Sequence, residues 1–275
     1  RPAATTMTVR HLLTHTAGFG YAFTNPMVRD FELLGAADRT VGPLMFDPGT
    51  EWLYGTNTDW VGRLIEAVSR QTLEDYFRAH VFFPLRMSDT SYNVPKAQWH
   101  RTVTVHDRQP DGSLVEQLRR DPEEVATFNG GGGLWATAGD YTRFLRMLLN
   151  GGELDGIRVL AAKSVAEMSI NQVGVISAGT IRTALPNLSN DFVPTEEGRG
   201  RFGLGFLINL DAEPERRAGD SLAWAGLFNT YFWLDPSTGV AGVFLTQILP
   251  FADPQALTTF EAFERGVYEL VRGMS

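Results

Sequence analysis

Residues 227–247 read Leu-Phe-Asn-Thr-Tyr-Phe-Trp-Leu-Asp-Pro-Ser-Thr-Gly-Val-Ala-Gly-Val-Phe-Leu-Thr-Gln. Two runs rich in β-branched and aromatic residues, 227–234 and 240–247, flank the turn Asp235-Pro236-Ser237-Thr238-Gly239. Such runs suit a half-buried pleated surface, and the proline and glycine between them supply turn conformations. Together they predict an antiparallel hairpin. A third strand candidate, 202–210, precedes them, and Phe260, Phe263, Val267, Leu270 and Val271 follow at helical spacing. Antiparallel strands closed by a covering helix are not the strand–helix alternation of a doubly wound fold, so the class is α+β.

Upstream, helices dominate. Thr8 can cap a short helix through His15, ended by Thr16-Ala17-Gly18. Residues 19–50 read as loop, with turn signals at Asn25-Pro26, Gly42-Pro43 and Asp47-Pro48-Gly49. Val61, Leu64, Ile65 and Val68 mark a helix from Thr58, and Thr72 caps another that Pro84 stops. Residues 90–128 read as short strands with a hairpin corner at Asp111-Gly112. Tyr141, Phe144, Leu145, Leu148 and Leu149 share one face of a helix that Gly151-Gly152 ends, and a further helix covers 161–169. The polar stretch 171–200 reads as a surface excursion or lid. Residues 1–200 thus form a mainly helical and loop region of one domain, and 201–275 its strands and closing helix.

The chain of 275 residues is 43% hydrophobic, enough for a real core. Its net charge of −8 and lack of polybasic runs disfavour nucleic acid or an anionic membrane as partner. No apolar run is long enough to span a bilayer. Absence of cysteine excludes disulfides, thiolate metal sites and a cysteine nucleophile, and leaves the compartment open.

Several segments, in order, resemble the β-lactamase-related serine hydrolases, the group of penicillin-binding proteins and family VIII carboxylesterases. They are His11-Leu12-Leu13-Thr14-His15-Thr16-Ala17-Gly18, Asp47-Pro48-Gly49 with Trp52-Leu53-Tyr54, Pro84-Leu85-Arg86-Met87-Ser88-Asp89-Thr90, and Gly131-Gly132-Gly133-Leu134 with Thr137, Asp140 and Phe144. The resemblance implies a β-lactamase/transpeptidase-like fold, an antiparallel sheet flanked by helices. It also implies hydrolysis of a small-molecule ester through an acyl-serine, with no metal or organic cofactor.

Members of this group work through three motifs. Ser-x-x-Lys supplies the nucleophile and an amine. Here the only lysines are Lys96 and Lys163, with Asn93 and Leu160 three residues before them, so the motif is absent. The resemblance places it upstream of Arg1. The expectation is therefore a domain lacking its N-terminal segment, with an exposed sheet edge, or else a catalytically silent scaffold. The second motif, Tyr-x-Asn, maps to Tyr54-Gly55-Thr56, with Thr56 in the Asn position and Asn57 one place late. By resemblance Tyr54 transfers protons, and it needs a neighbouring ammonium to do so near neutral pH, since a free phenol titrates near ~10. The third maps to Trp224-Ala225-Gly226. Lys or His there can meet a substrate carboxylate, whereas indole offers only one neutral N–H, which favours a neutral ester. By resemblance the N–H of Leu227 joins the oxyanion hole. Thr56, Trp224, Ala225, Gly226 and Leu227 form the expected substrate side.

Other readings stay open beside this one. A β-lactamase or D-alanyl-D-alanine carboxypeptidase would need a cation from elsewhere, for which Arg182, Arg199 and Arg201 are candidates. Gly219-Asp220-Ser221-Leu222-Ala223 nearly spells a nucleophile elbow but lacks its final glycine and helix, so Ser221 is expected in a surface turn and stands as the second candidate nucleophile, the one this sequence could itself supply. His11 and His15 read as a hydrogen-bonded structural pair, and the 130–133 glycine run as backbone packing or a site wall. Asp107 and Asp111 read as solvated turn residues.

Overall fold

A computed structural model describes residues 1–35, 38, 40–196, 198–212 and 215–274. Its first helix, α1 (Val9–Leu13), is capped by the Thr8 hydroxyl as the sequence predicts. It ends two residues early, because His15 turns into the left-handed region at φ 56°. Within the expected loop 19–50 stands a helix, α2 (Pro26–Leu33). Asn25-Pro26 is its start rather than a turn: the Asn25 side chain accepts from the N–H groups of Met27 and Val28, and proline at the first helical position loses no bond. α3 (Asn57–Ser69) and α4 (Leu73–Phe77) follow the predicted pattern, Thr72 capping the latter. α4 runs on through a π-helical turn, Arg78–Phe82, before Pro84.

Strands β1 (His106–Arg108) and β2 (Leu114–Glu116) pair around the predicted corner, where Gly112 adopts φ +86°. Asp111 accepts from the Ser113 N–H and hydroxyl there, and Asp107 accepts from the Gln117 amide. Then come α5 (Ala138–Leu149), a small hairpin of β3 (Glu153–Leu154) and β4 (Ile157–Arg158), and α6 (Ala162–Met168). Residues 171–200 hold no helix or ladder strand among those described, yet they are no surface excursion. Val173, Ala178, Ile181, Ala184 and Phe192 are buried, and backbone bridges tie Ile181 to Phe192 and Ser189 to Phe251.

The remaining strands are β5 (Arg201–Phe202), β6 (Leu207–Asn209), β7 (Ser221–Gly226), β8 (Thr230–Asp235) and β9 (Val240–Phe244), antiparallel in sequence order. The predicted hairpin is β8–β9, with Asp235 opposite Val240. The strand expected at 202–210 is instead two, folded over Gly203–Phe206, and β7 is a strand where the sequence reading placed none, the expected strand at 227–234 being β8. A short β10 (Ile248–Leu249) leaves the main sheet to pair in parallel with β1. The last helix is α7 (Pro254–Met274).

Strand alternation divides the core. Leu222 and Leu234 face α5, where Leu145, Met147 and Leu148 cover them. Tyr231 and Trp233 face the other way, against Phe260 and Tyr268 of α7. Gly242 lies opposite Trp233, and a Cβ there would fall 2.0 Å from the indole, so the ring occupies space only glycine leaves. Among the described residues β5 and β9 are the outer strands of this sheet, each paired on one side only. No helix among the described residues is long and apolar enough to cross a membrane.

Candidate active site

Tyr54 sits in the segment that enters α3, and its backbone is held from three directions. The Leu53 N–H donates to the His15 carbonyl at 3.0 Å, and the Thr24 hydroxyl donates to the Tyr54 carbonyl at 2.9 Å. Gly55 lets the segment run against Phe19, whose carbonyl oxygen would be 2.2 Å from a Cβ. Trp224 stands on β7, paired with Phe232.

These two elements bring the two rings together. The Tyr54 and Trp224 centroids are 5.1 Å apart at 59°. Phe202 meets Trp224 edge-on at 5.2 Å, and Trp52 meets it at 6.2 Å. His15, 3% exposed, lies 4.9 Å from Tyr54 and completes the cluster. Burial pushes the Tyr54 phenol above its usual value; the Trp224 N–H offsets this in part, and the charge of Asp59 adds to it. The phenol is therefore protonated at neutral pH, and a cation would be needed to make it a base.

The pair opens onto a cleft of about 1580 Å³. Trp224, Ala225, Gly226 and Leu227 all line it, as do Tyr54 and His15. Thr56 does not. It is 2% exposed and borders a separate small pocket beside Phe19 and Val28, so the position expected to face substrate faces inward. Asn57, one place later, carries its amide to His15 instead.

The alternative residues fall elsewhere. Arg182 is paired with Asp191 at 2.9 Å and Arg199 with Asp211 at 2.6 Å. Arg201 donates to the carbonyls of Gly198 and Gly200, and none of the three lines the cleft. The cleft's arginines are Arg101, Arg119 and Arg120, and Arg101 is forked onto Asp89. Ser221 is no surface turn. It is fully buried on β7, its hydroxyl has no hydrogen-bond partner, and its odd spacing from Trp224 puts it on the opposite face. His11 and His15 do not pair: His11 closes the cap of α1 with Thr8, while His15 turns inward. Among the described residues no group of three or more His, Asp or Glu side chains is placed to hold a metal ion.

An α+β fold with an antiparallel sheet between helices, and a phenol set against the sheet's central strand at a cleft, define the class of the β-lactamase-like serine hydrolases. The chain belongs to the Beta-lactamase family, whose profile matches residues 1–265. Among individual proteins it is similar to monacolin J acid methylbutanoyltransferase of Aspergillus terreus, 31% identical over 95% of this chain and 67% of that one. It is 28% identical to lovastatin esterase of Penicillium rubens over 97% of this chain and 71% of that protein. A variant of simvastatin synthase from Aspergillus terreus shares the fold with a TM-score of 0.83 at 26% identity, covering 99% of this chain and 68% of that one. The chain thus spans 67% to 71% of the length of these relatives.

One residue of the cleft and a buried partner behind it escaped the sequence reading. Tyr21 lines it beside Tyr54, and Asp59 accepts the Tyr21 hydroxyl at 3.1 Å. An acid in the first turn of a helix is ordinarily read as favourable to the helix dipole, which masked the second role.

Proposed function

We propose that these 275 residues belong to one domain and form the proton-transfer and oxyanion walls of an acyl-transfer centre that cleaves a neutral, short-acyl carboxylic ester. The observation that carries the reading is the 5.1 Å approach of Tyr54 to Trp224 at the cleft. A wall made of indole offers no cation to a β-lactam or peptide carboxylate and suits an uncharged acyl group. The nucleophile is a Ser-x-x-Lys helix contributed by polypeptide outside this sequence, and it closes the cleft.

In that centre the serine oxygen attacks the ester carbonyl. Its proton passes through Tyr54 and the lysine to the departing alkoxide, which leaves as the alcohol. The oxyanion is held by the serine's own N–H and that of Leu227. Water then takes the acyl group to give the acid, or a second alcohol takes it to give a new ester. The similarity to a methylbutanoyltransferase and to an esterase supports both outcomes from one acyl-serine.

The test uses the protein of the full reading frame with p-nitrophenyl butyrate and a chromogenic cephalosporin. Ester turnover that far exceeds cephalosporin turnover, and that Tyr54→Phe abolishes, is expected. A reading frame without Ser-x-x-Lys would leave a binding scaffold, and a fully active Tyr54→Phe variant would remove the mechanism.

A further inference from the structure

Tyr54 is held by its backbone, yet a proton shuttle also needs its ring fixed. Tyr21 supplies one contact: it lies edge-on to Tyr54, with ring centroids 5.3 Å apart at 61°. Its hydroxyl donates to Asp59 Oδ2 at 3.1 Å, and Asp59 Oδ1 accepts the N–H of Gly131 at 3.0 Å. Asp59 is 2% exposed. A carboxylate so far from water persists because donors meet it, and here those donors come from two separate segments that both line the cleft.

The glycine run gives an independent observation. A Cβ on Gly131 would lie 2.4 Å from the Tyr21 hydroxyl oxygen and 3.1 Å from both oxygens of Asp59, and one on Gly130 would lie 2.1 Å from the Thr58 carbonyl oxygen. The loop reaches the start of α3 this closely only without side chains. Tyr21, Asp59 and Gly131 therefore form one unit, packed on the ring proposed to move the proton.

We propose that Tyr21 and Asp59 are positioning residues for Tyr54, and that Gly131 is glycine so that the two can meet. The inference rests on the acyl-transfer reading above. Asp59 fixes Tyr21 by hydrogen bond, Tyr21 fixes the Tyr54 ring by its edge, and the phenol stays within reach of the nucleophile. Displacing a reacting group by about 1 Å can cost up to ~100-fold in rate. The charge of Asp59 also acts on the Tyr54 phenol, in the direction that keeps it protonated.

The experiment follows p-nitrophenyl butyrate hydrolysis by the full-length protein and its Tyr21→Phe, Gly131→Ala and Asp59→Asn variants, with melting temperatures measured alongside. Tyr21→Phe keeps the ring and loses only the tether. It is expected to lower kcat roughly tenfold with KM within about twofold and little change in melting temperature. Gly131→Ala is expected to lower kcat in the same way, by wedging the pair apart without touching a charge. Asp59→Asn is expected to lower kcat further; should it fail to fold, the other two variants still decide. Unchanged kcat in both Tyr21→Phe and Gly131→Ala, or losses matched by the unfolded fraction, would overturn the inference while Tyr54-dependent turnover stands. Wild-type protein without Tyr54-dependent turnover would instead overturn the acyl-transfer reading, and this inference with it.

Discussion

The side-chain amide nitrogen of Asn57 lies 3.1 Å from Nδ1 of His15. The same nitrogen is 3.4 Å from the Phe19 carbonyl oxygen and 3.5 Å from that of Leu53. Three acceptors around one NH2 group fix the orientation of the amide, so His15 Nδ1 accepts and the ring is neutral with its proton on Nε2. The fold thus keeps an uncharged imidazole in contact with Tyr54.

That arrangement makes the protein sensitive to acid. Burial lowers the pKa of His15 from 6.5 to about 3. Between those values the unfolded chain binds a proton that the folded chain refuses, so stability falls as pH drops from about 6.5 toward 3. At ~1.4 kcal/mol per pH unit the full loss has an upper bound on the order of 5 kcal/mol. Urea unfolding at pH 7, 6, 5 and 4.5 is expected to show this decline. It should be much weaker in His15→Gln; parallel decline in both proteins would assign the effect to other groups.

Glycines separate into two kinds. At Gly242 an added methyl would fall inside the fully buried Trp233 ring, 2.0 Å from the nearest carbon. Gly242→Ala is expected to destabilise by about 3 kcal/mol, the upper range for overpacking a core. At Gly266, in α7, nothing lies within 4 Å of the added carbon. There Gly266→Ala is expected to stabilise by ~0.5–1 kcal/mol through helix propensity alone. Denaturant midpoints of the two variants check both signs.

Much of this architecture is legible in the residues, for local reasons. The β8–β9 hairpin, the Thr8 and Thr72 caps and the stripe of α5 each follow from a short pattern and one turn or cap. The rest depends on partners far away in sequence. Residues 171–200 look polar and loose until Phe192 meets Phe251 at 5.1 Å, and α2 hides behind a proline that reads equally well as turn or helix start. In the site, Tyr54 and Trp224 are legible because motif-like neighbours surround them. The Tyr21–Asp59 bond joins residues 38 apart, and only the folded glycine loop gives it meaning.

The anchor of α7 is expected to be electrostatic. Glu264 is fully buried, and its oxygens take Arg217 at 2.7 Å and Arg216 at 2.7 Å. Burial pushes its carboxyl upward, but Arg217 and then Arg216 outweigh that and hold it below its ordinary value of 4.5. The stabilisation is thus complete above about 4.5 and is lost as pH falls. Glu264→Gln leaves guanidinium charge uncompensated in the interior and is expected to cost about 3 kcal/mol. Chemical denaturation at pH 7 measures it, and a cost under ~1 kcal/mol would place the anchor in the apolar contacts of α7 instead.

Trp224 is expected to act on Tyr54 in two separable ways. Its ring packs against Tyr54, Phe202 and Trp52, while its N–H draws the phenol's pKa down against the larger effect of burial. Trp224→Phe keeps most of the ring and removes the donor. With the donor gone the phenol's pKa rises, so any step that needs phenolate moves to higher pH. In the full-length protein the ascending limb of kcat/KM against pH is therefore expected to shift alkaline in Trp224→Phe, with the plateau largely kept. Trp224→Ala removes both effects and is expected to lower the plateau as well, because the Tyr54 ring loses its neighbour across the cleft. An unshifted limb in Trp224→Phe would confine Trp224 to packing and place control of the phenol with Asp59 and the nucleophile's lysine.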